Sequence, residues 1–234
     1  MELIDKQYTK TPFYGVPRMV QYLRENGHQV NPKRIRRLYR KMDLHAIGPR
    51  PNTSKPHKGD GHTIYPYLLR GMKIDRPNQV WAMDITYVPV GNGHMYLVAM
   101  IDLYSRFIVG WSLSNTMTSK WCKECLEMAI IQFGAPEIVN TDQGIQFTSP
   151  VFTKYVDSLE GTKFSMDGKG RAIDNIFIER FWRNIKYEKI YLEPSEDGHE
   201  LYDKIKWYME FYNAQRPHQS LDYKKPEKVF RAAA

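Results

Sequence analysis

The 234-residue chain is 42% hydrophobic and 13% aromatic, which excludes a disordered polymer and leaves room for a medium domain plus a smaller one. No apolar run approaches the roughly 18 residues of a membrane helix, the opening MELIDKQYTK has no signal-peptide core, and Cys122 and Cys125 build no disulfide framework, so a reducing cytoplasm is expected. The net charge of +8 is uneven, with 16 Lys/Arg against 6 Asp/Glu over residues 1–80 and 18 against 20 over residues 81–234. An excess confined to the front third points to an appended module that binds a polyanion, nucleic acid first among them.

Two helices around a turn are predicted first. Met19, Val20 and Leu23 recur at helical spacing between Val16 and Glu25, and Gly27 ends the run. Asn31 then precedes Pro32, an N-cap followed by proline at the first helical position. Ile35, Leu38, Tyr39 and Met42 form one apolar stripe, and Lys33, Arg34, Arg36, Arg37, Arg40 and Lys41 take the other faces. A short helix, a glycine turn and a strongly basic helix make a helix-turn-helix whose basic residues would meet DNA. Residues 46–63, rich in Pro, Gly, Lys and Ser, read as a linker, and Tyr65, Tyr67, Leu68 and Leu69 as an arm that packs on something.

From Gln79 the period changes. Strands are predicted at Val80–Val90, Met95–Asp102 and Phe107–Leu113, then a helix at Lys120–Phe133 and a strand at Glu137–Thr141. A helix at Val151–Leu159, a strand at Thr162–Met166, a Gly-rich loop at Asp167–Arg171 and helices at Asn175–Lys189 and Gly198–Tyr212 complete the order. Three meandering strands followed by alternating helices and strands give an α/β core with a mixed sheet.

Three carboxylates stand where chemistry would want them. Asp84 lies mid-strand among Trp81, Ala82, Met83 and Ile85, where a charge is costly unless a cation neutralises it. Asp142 follows the apolar Ile138-Val139 strand at its C-terminal end, where open α/β sheets place ligands. Glu179 sits on an apolar helix beside Ile176, Phe177, Ile178, Phe181 and Trp182 and asks for a partner. Oxygen donors without a His/Cys cluster suit Mg²⁺ or Mn²⁺, and two such ions about 4 Å apart clamp both oxygens of an in-line phosphoryl transfer. Arg183 and Lys186 follow Glu179 on the same helical face, a basic strip for phosphates beside the metals. Asp102 and Asp174 read as turn or capping residues. Cys122 falls on the apolar face of its helix, so Cys122-x-x-Cys125 reads as buried core and not, with His57 and His62, as zinc ligands. Trp182 and Trp207 read as core or interface residues, and His218 as either a backbone contact or a packed ring.

YGVPRMVQYLRENGHQVNPKRIRRLYRKMDL, WAMDITYVPV, VNTDQGIQFTS, MDGKGRAIDNIFIERFWRNIKYE and the tail FYNAQRPHQSLDYKKPEKVF together resemble the DDE transposases of bacterial insertion sequences that carry an integrase-type core. The resemblance implies an RNase H-like mixed sheet flanked by helices, preceded by a small all-α helix-turn-helix domain. It implies Asp84, Asp142 and Glu179 as a triad for two Mg²⁺ ions, with Mn²⁺ substituting. It also implies a nucleoid-associated enzyme that acts on the element's inverted repeats and on target DNA, through a copied-out circular intermediate. The organisation expected is a helix-turn-helix domain at 1–45, a linker arm at 46–75, a catalytic core at 76–192 and a C-terminal helical extension at 193–234. A homo-oligomer, at least a dimer on DNA, is expected, as is partnership with an upstream reading-frame product to which this downstream product is fused by frameshifting. Two departures stand out. The 36 residues between Asp142 and Glu179 are one more than the family pattern carries, and Ile145 replaces its usual Ser.

Two other readings compete. A non-catalytic helix-turn-helix DNA-binding regulator would explain the basic helices but not the acids. An RNase H-like DNA nuclease would explain the acids but less readily the helix-turn-helix and the C-terminal arm. Joining of a donor 3′ end to target DNA separates all three.

Overall fold

The N-terminal helices start where their caps dictate. In a computed structural model that describes residues 1–48, 64–168 and 175–232, Asn31 accepts a 2.8 Å hydrogen bond from the Arg34 amide and opens helix α3 (Pro32–Lys41). Helix α2 (Val16–Glu25) precedes it, and Gly27 takes the left-handed turn between them at φ 82°. A further helix, α1 (Glu2–Lys10), has no counterpart in the sequence reading; only Ile4 along it is buried, too little to mark a periodic stripe. Ile4, Phe13, Tyr14, Met19, Val20, Leu23, Ile35 and Tyr39 form this module's own core. All six basic residues of α3 remain exposed, and among the described residues none is ion-paired.

The sheet is mixed, in the order β3-β2-β1-β4-β5, from β1 (Val80–Val90), β2 (Gly93–Asp102), β3 (Ile108–Ser114), β4 (Ile138–Thr141) and β5 (Lys163–Met166). The first three pair antiparallel; β4 pairs parallel with β1, and β5 parallel with β4. Alternation along β1 sends Val80 and Ala82 to one face and Trp81 and Met83 to the other. The first face meets α7 (Ile176–Ile185) and α8 (Gly198–Ala214), through Ile178, Phe181, Ile185, Ile205 and Tyr208. The second meets α4 (Ser119–Phe133), α5 (Ile145–Thr148) and α6 (Pro150–Asp157), with Cys122 and Cys125 buried in it as expected. Gly110 lets α4 lie close, because a Cβ there would stand 2.6 Å from Met100 Cε and 3.0 Å from Ala129 Cβ.

The arm does pack. Leu68 N–H donates to Ser165 Oγ at 3.1 Å, and the Tyr65 ring rests on Phe164, along the edge strand β5. The predicted linker's residues 49–63, with His57 and His62, lie outside the described residues, as do 169–171 of the Gly-rich loop and Asp174. The single helix predicted over 175–189 is instead α7 followed by a π-helical turn, Lys186–Ile190, and a short α9 (Pro226–Arg231) follows α8. No described helix is long and apolar enough to cross a membrane.

That π-turn carries the joint between module and core. Glu188 is buried, and it accepts from Arg216 Nε and Nη2 at 2.7 and 2.6 Å, from Arg18 Nη1 at 2.6 Å and from the Tyr208 hydroxyl at 2.8 Å. Burial pushes its carboxyl up, while Arg18 and Tyr208 pull it down. Arg18 comes from α2, so one carboxylate ties the basic module to the segment that follows α7. Removing one partner of a buried pair strands the other charge, at a cost of about 3–5 kcal/mol. Arg216→Ala, with the side chain only 1% exposed, is expected to lose that much in denaturant unfolding, and Arg18→Ala, at 22%, clearly less. Equal losses would show that Arg216 is not the principal counter-ion.

Candidate active site

The parallel register of β1 and β4 sets two of the acids together. Met83 pairs with Thr141 as the last matched residues, so Asp84 and Asp142 are the next positions on neighbouring strands. At that point β4 leaves the sheet, and the short helix α5 begins at Ile145. Asp142 Oδ1 accepts the Gly144 amide at 2.9 Å, and a Cβ at Gly144 would come within 2.9 Å of that oxygen. Gln143 Nε2 donates to the Asp167 carbonyl at 2.8 Å and braces the turn against the end of β5.

Asp84 is partly covered, on the face that meets α7. Its Oδ2 accepts the Trp182 indole N–H at 2.8 Å. Burial, helped by the Asp142 charge, pushes the Asp84 carboxyl up to about 7, against the pull of the Trp182 and Ile85 hydrogen bonds, with a smaller push from Glu179. Asp142 is exposed as a residue, yet protein around its carboxyl pushes it up too, opposed by the Gly144 amide. Glu179 shifts the same way from burial of its carboxyl.

Glu179 corrects the sequence reading in one respect. It is exposed as a residue on the first turn of α7, although the protein around its carboxyl still pushes it up. No ion pair joins it to Arg183, which is exposed as well. Among the described residues, no three His, Cys, Asp or Glu side chains stand close enough to hold a metal ion as they are placed. Asp84 nevertheless feels the charges of Asp142 and Glu179, and all three carboxyls are pushed up, Asp142 and Glu179 by burial. Carboxylate oxygens pushed up in this way are hard donors of the kind that suits a divalent cation.

Lys186 stands beside this cluster, not out on a basic strip. It is half-buried, and its Nζ donates to Thr86 Oγ1 at 2.6 Å; burial pulls its pKa down and Asp84 pulls it up. Asp102 is the turn residue expected: fully buried, it accepts from the Ser105 amide and hydroxyl and the Asn78 amide. His218 packs against Tyr212, and burial, together with Arg106, Arg18 and Arg180, brings it down to about 4, so it is neutral at pH 7 and suits the packed reading. Trp182 is buried as expected, whereas Trp207 is 51% exposed, its ring stacked on Phe211 outside the core. The link from Trp182 to Asp84 was not anticipated from sequence, because an indole inside an apolar helix reads first as core.

Comparison with known proteins adds the following. The Integrase core domain family matches residues 74–172, a second Integrase core domain family matches 160–226, and the HTH-like domain family matches 1–52. The transposase for insertion sequence element IS904 of Lactococcus lactis is 36% identical over 220 residues, covering 92% of this chain and 86% of that protein. Transposase InsF for insertion sequence IS3A of Escherichia coli is 34% identical over 183 residues, 77% of this chain but 63% of that protein. Among solved structures, the HTLV-2 integrase catalytic core domain in complex with magnesium superposes with a TM-score of 0.53 at 21% identity, covering 66% of this chain and 97% of that one. A chain of the simian T-cell lymphotropic virus intasome in complex with PP2A regulatory subunit B56 gamma gives 0.58 at 16% identity, covering 92% of this chain and 74% of that one. These two likenesses are of fold.

Asp84 gives the metal-free protein a pH dependence of definite sign. Its folded pKa of about 7 lies above its ordinary 3.8, so between those values the folded state keeps a proton that the unfolded chain has lost. Its contribution to stability therefore falls as pH rises through that window and is level above it. With a chelator present, Asp84→Asn should stabilise the protein by on the order of a few kcal/mol near pH 8, and by almost nothing near pH 3.5. Denaturation across that range checks it; a gain independent of pH would mean that Asp84 titrates normally.

Proposed function

The chain belongs to the insertion-sequence transposases with an integrase core, and on that footing we propose that it cuts and joins DNA at a site built from Asp84, Asp142 and Glu179. The observation that carries this is the emergence of Asp84 and Asp142 side by side from adjacent parallel strands, with the Asp84 carboxyl pushed up in part by the Asp142 charge. Two divalent cations, Mg²⁺ with Mn²⁺ as substitute, would supply, when bound, the positive charge that activates an oxygen nucleophile and steadies the transferring phosphoryl group.

The chain's own residues do the rest. Asp84, mid-strand on β1, and Asp142, just past the end of β4, present the carboxylate oxygens that would hold the cations, and Glu179 would close over them from α7. Lys186, half-buried beside Asp84, lies where it can turn from Thr86 to a phosphate oxygen next to the scissile bond. Two in-line displacements follow. Water attacks one phosphodiester at the element's end, breaking its P–O3′ bond and leaving a 3′-hydroxyl and a 5′-phosphate. That 3′-hydroxyl then attacks a target phosphodiester, forming a new 3′–5′ link and releasing a target 3′-hydroxyl. Neither step needs a covalent protein–DNA intermediate.

The six exposed basic residues of α3, Lys33, Arg34, Arg36, Arg37, Arg40 and Lys41, bind the element's terminal repeats, and Arg183 contacts phosphates nearer the acids. Family matches and packing support a division into a helix-turn-helix at 1–45, an arm at 46–75, a core at 76–192 and a helical extension at 193–234. Two element ends must meet, so the working form is at least a dimer on DNA, joined by the upstream reading-frame product where that is made.

Asp84→Asn, Asp142→Asn and Glu179→Gln are each expected to abolish cleavage and joining of a labelled end fragment while leaving its binding within about twofold. Removing Arg34, Arg36 and Arg37 together should do the reverse. Binding should weaken and its salt dependence become shallower by up to about one unit of log–log slope per lost phosphate contact. Substantial joining by any one of the three acid variants would show that the acids are misassigned.

A further inference from the structure

Trp182 is 6% exposed, and its ring packs at 5.2 Å from Phe181 in the core between sheet and helices. Packing alone would account for an indole there, but not for where its N–H points. That N–H donates to Asp84 Oδ2 at 2.8 Å, across 98 residues of sequence. An indole N–H is a single donor with no accepting lone pair and no charge. It can anchor one carboxylate oxygen without competing electrostatically for the ligand role of the other, as a lysine or arginine would.

The contact is one rung of a matched ladder. Four residues along an α-helix advance about 6.0 Å, and two along a strand about 6.6 Å. Helix α7 uses that near-coincidence against β1. Ile178 and Ala82 share one buried cluster, Trp182 meets Asp84, and Lys186 meets Thr86. The steps of four on the helix and two on the strand keep all three pairs on facing sides. The indole is thus carried to the Asp84 carboxylate by the packing that buries α7, and Lys186, a rung later, is engaged with Thr86 and makes no ion pair with Asp84.

We propose that Trp182 is a positioning residue for Asp84, fixing the carboxylate through Oδ2 so that Oδ1 is the oxygen presented to a divalent cation. This rests on the reading of Asp84 as a metal ligand. A carboxylate freed from this anchor would keep only its bond to the Ile85 amide and would sample other rotamers, and partners of this kind change metal affinity by about 10- to 100-fold.

The test replaces the N–H without changing the ring's shape. Full-length protein carrying benzothienylalanine at position 182, with sulfur in place of the indole N–H, is compared with Trp182→Phe, Asp84→Asn and wild type. Mn²⁺ affinity is measured calorimetrically without DNA. The benzothienyl protein is expected to melt near the wild-type temperature but to bind Mn²⁺ about 10-fold or more weakly, and Asp84→Asn to lose that binding. Wild-type Mn²⁺ affinity in the benzothienyl protein, with binding lost in Asp84→Asn, would overturn the role of Trp182 and leave Asp84 as a ligand. Wild-type affinity in Asp84→Asn would overturn the ligand assignment itself. A second readout needs no altered core: the Trp182 indole N–H resonance of wild-type protein, assigned by its loss in Trp182→Phe, should move when Asp84→Asn is introduced and again when Mg²⁺ is added. A resonance unmoved by either would contradict the proposal.

Discussion

The pairing of Met83 with Thr141 is the constraint from which the rest of the site descends. Parallel strands carry matched residues at the same height, so the next position on each is an aspartate, and the two emerge together where β4 leaves the sheet. A shift of one residue would send one carboxylate to the opposite face, and antiparallel pairing about the same residues would carry the two apart along the strands. Holding β1 and β4 parallel requires the crossover through α4, and α4 fits because Gly110 leaves room for the Ala129 side chain and because Cys122, Leu126 and Ala129 fill the space beneath. The core on one side of the sheet therefore serves register, and the core on the other serves α7, which carries Glu179.

Electrostatics divides the molecule into two provinces. The exposed side of α3 carries six cations with no ion-pair partner among the described residues, a surface that gains by meeting phosphates. The acid site has the opposite deficit, with three carboxyls pushed up and Lys186 engaged by Thr86. On the proposed function, DNA held by the first province would need cations to approach the second, where like charges would otherwise repel it. Glu188 links them mechanically, because Arg18 of the basic module and Arg216 of the C-terminal segment share it at the turn that ends α7.

Much of this was legible in the residues. Asn31-Pro32 marks the start of α3 because capping and proline geometry are local effects. Asp84 stands out because a charge within a run of strand hydrophobics has no cheap explanation. Asp142 is readable because a short apolar strand that stops at a carboxylate is a recurrent ligand position. Helix α1 was not legible, since it buries one residue, nor was the switch to a π-turn at Lys186, because helical periodicity does not distinguish the two geometries within five residues. Glu179 is the least legible of the three acids. Its neighbours are apolar, but its own position faces solvent, and it is the family resemblance together with its place on α7 that marks it. The Trp182 contact is invisible in one dimension because it depends on the rise of a helix matching the rise of a strand 98 residues away.

The central claim is that Asp84, Asp142 and Glu179 share one cation site. Fe²⁺ can replace Mg²⁺ or Mn²⁺ in such sites, and with ascorbate and peroxide it generates radicals that cut the polypeptide next to the bound ion. Mapping the cuts on end-labelled protein reads the site without reference to activity. Three clusters of cuts, around residues 84, 142 and 179 and all suppressed by excess Mg²⁺, are the expected result. Cuts that leave any one of those segments untouched at saturating Fe²⁺, or that persist in Asp84→Asn, would contradict it.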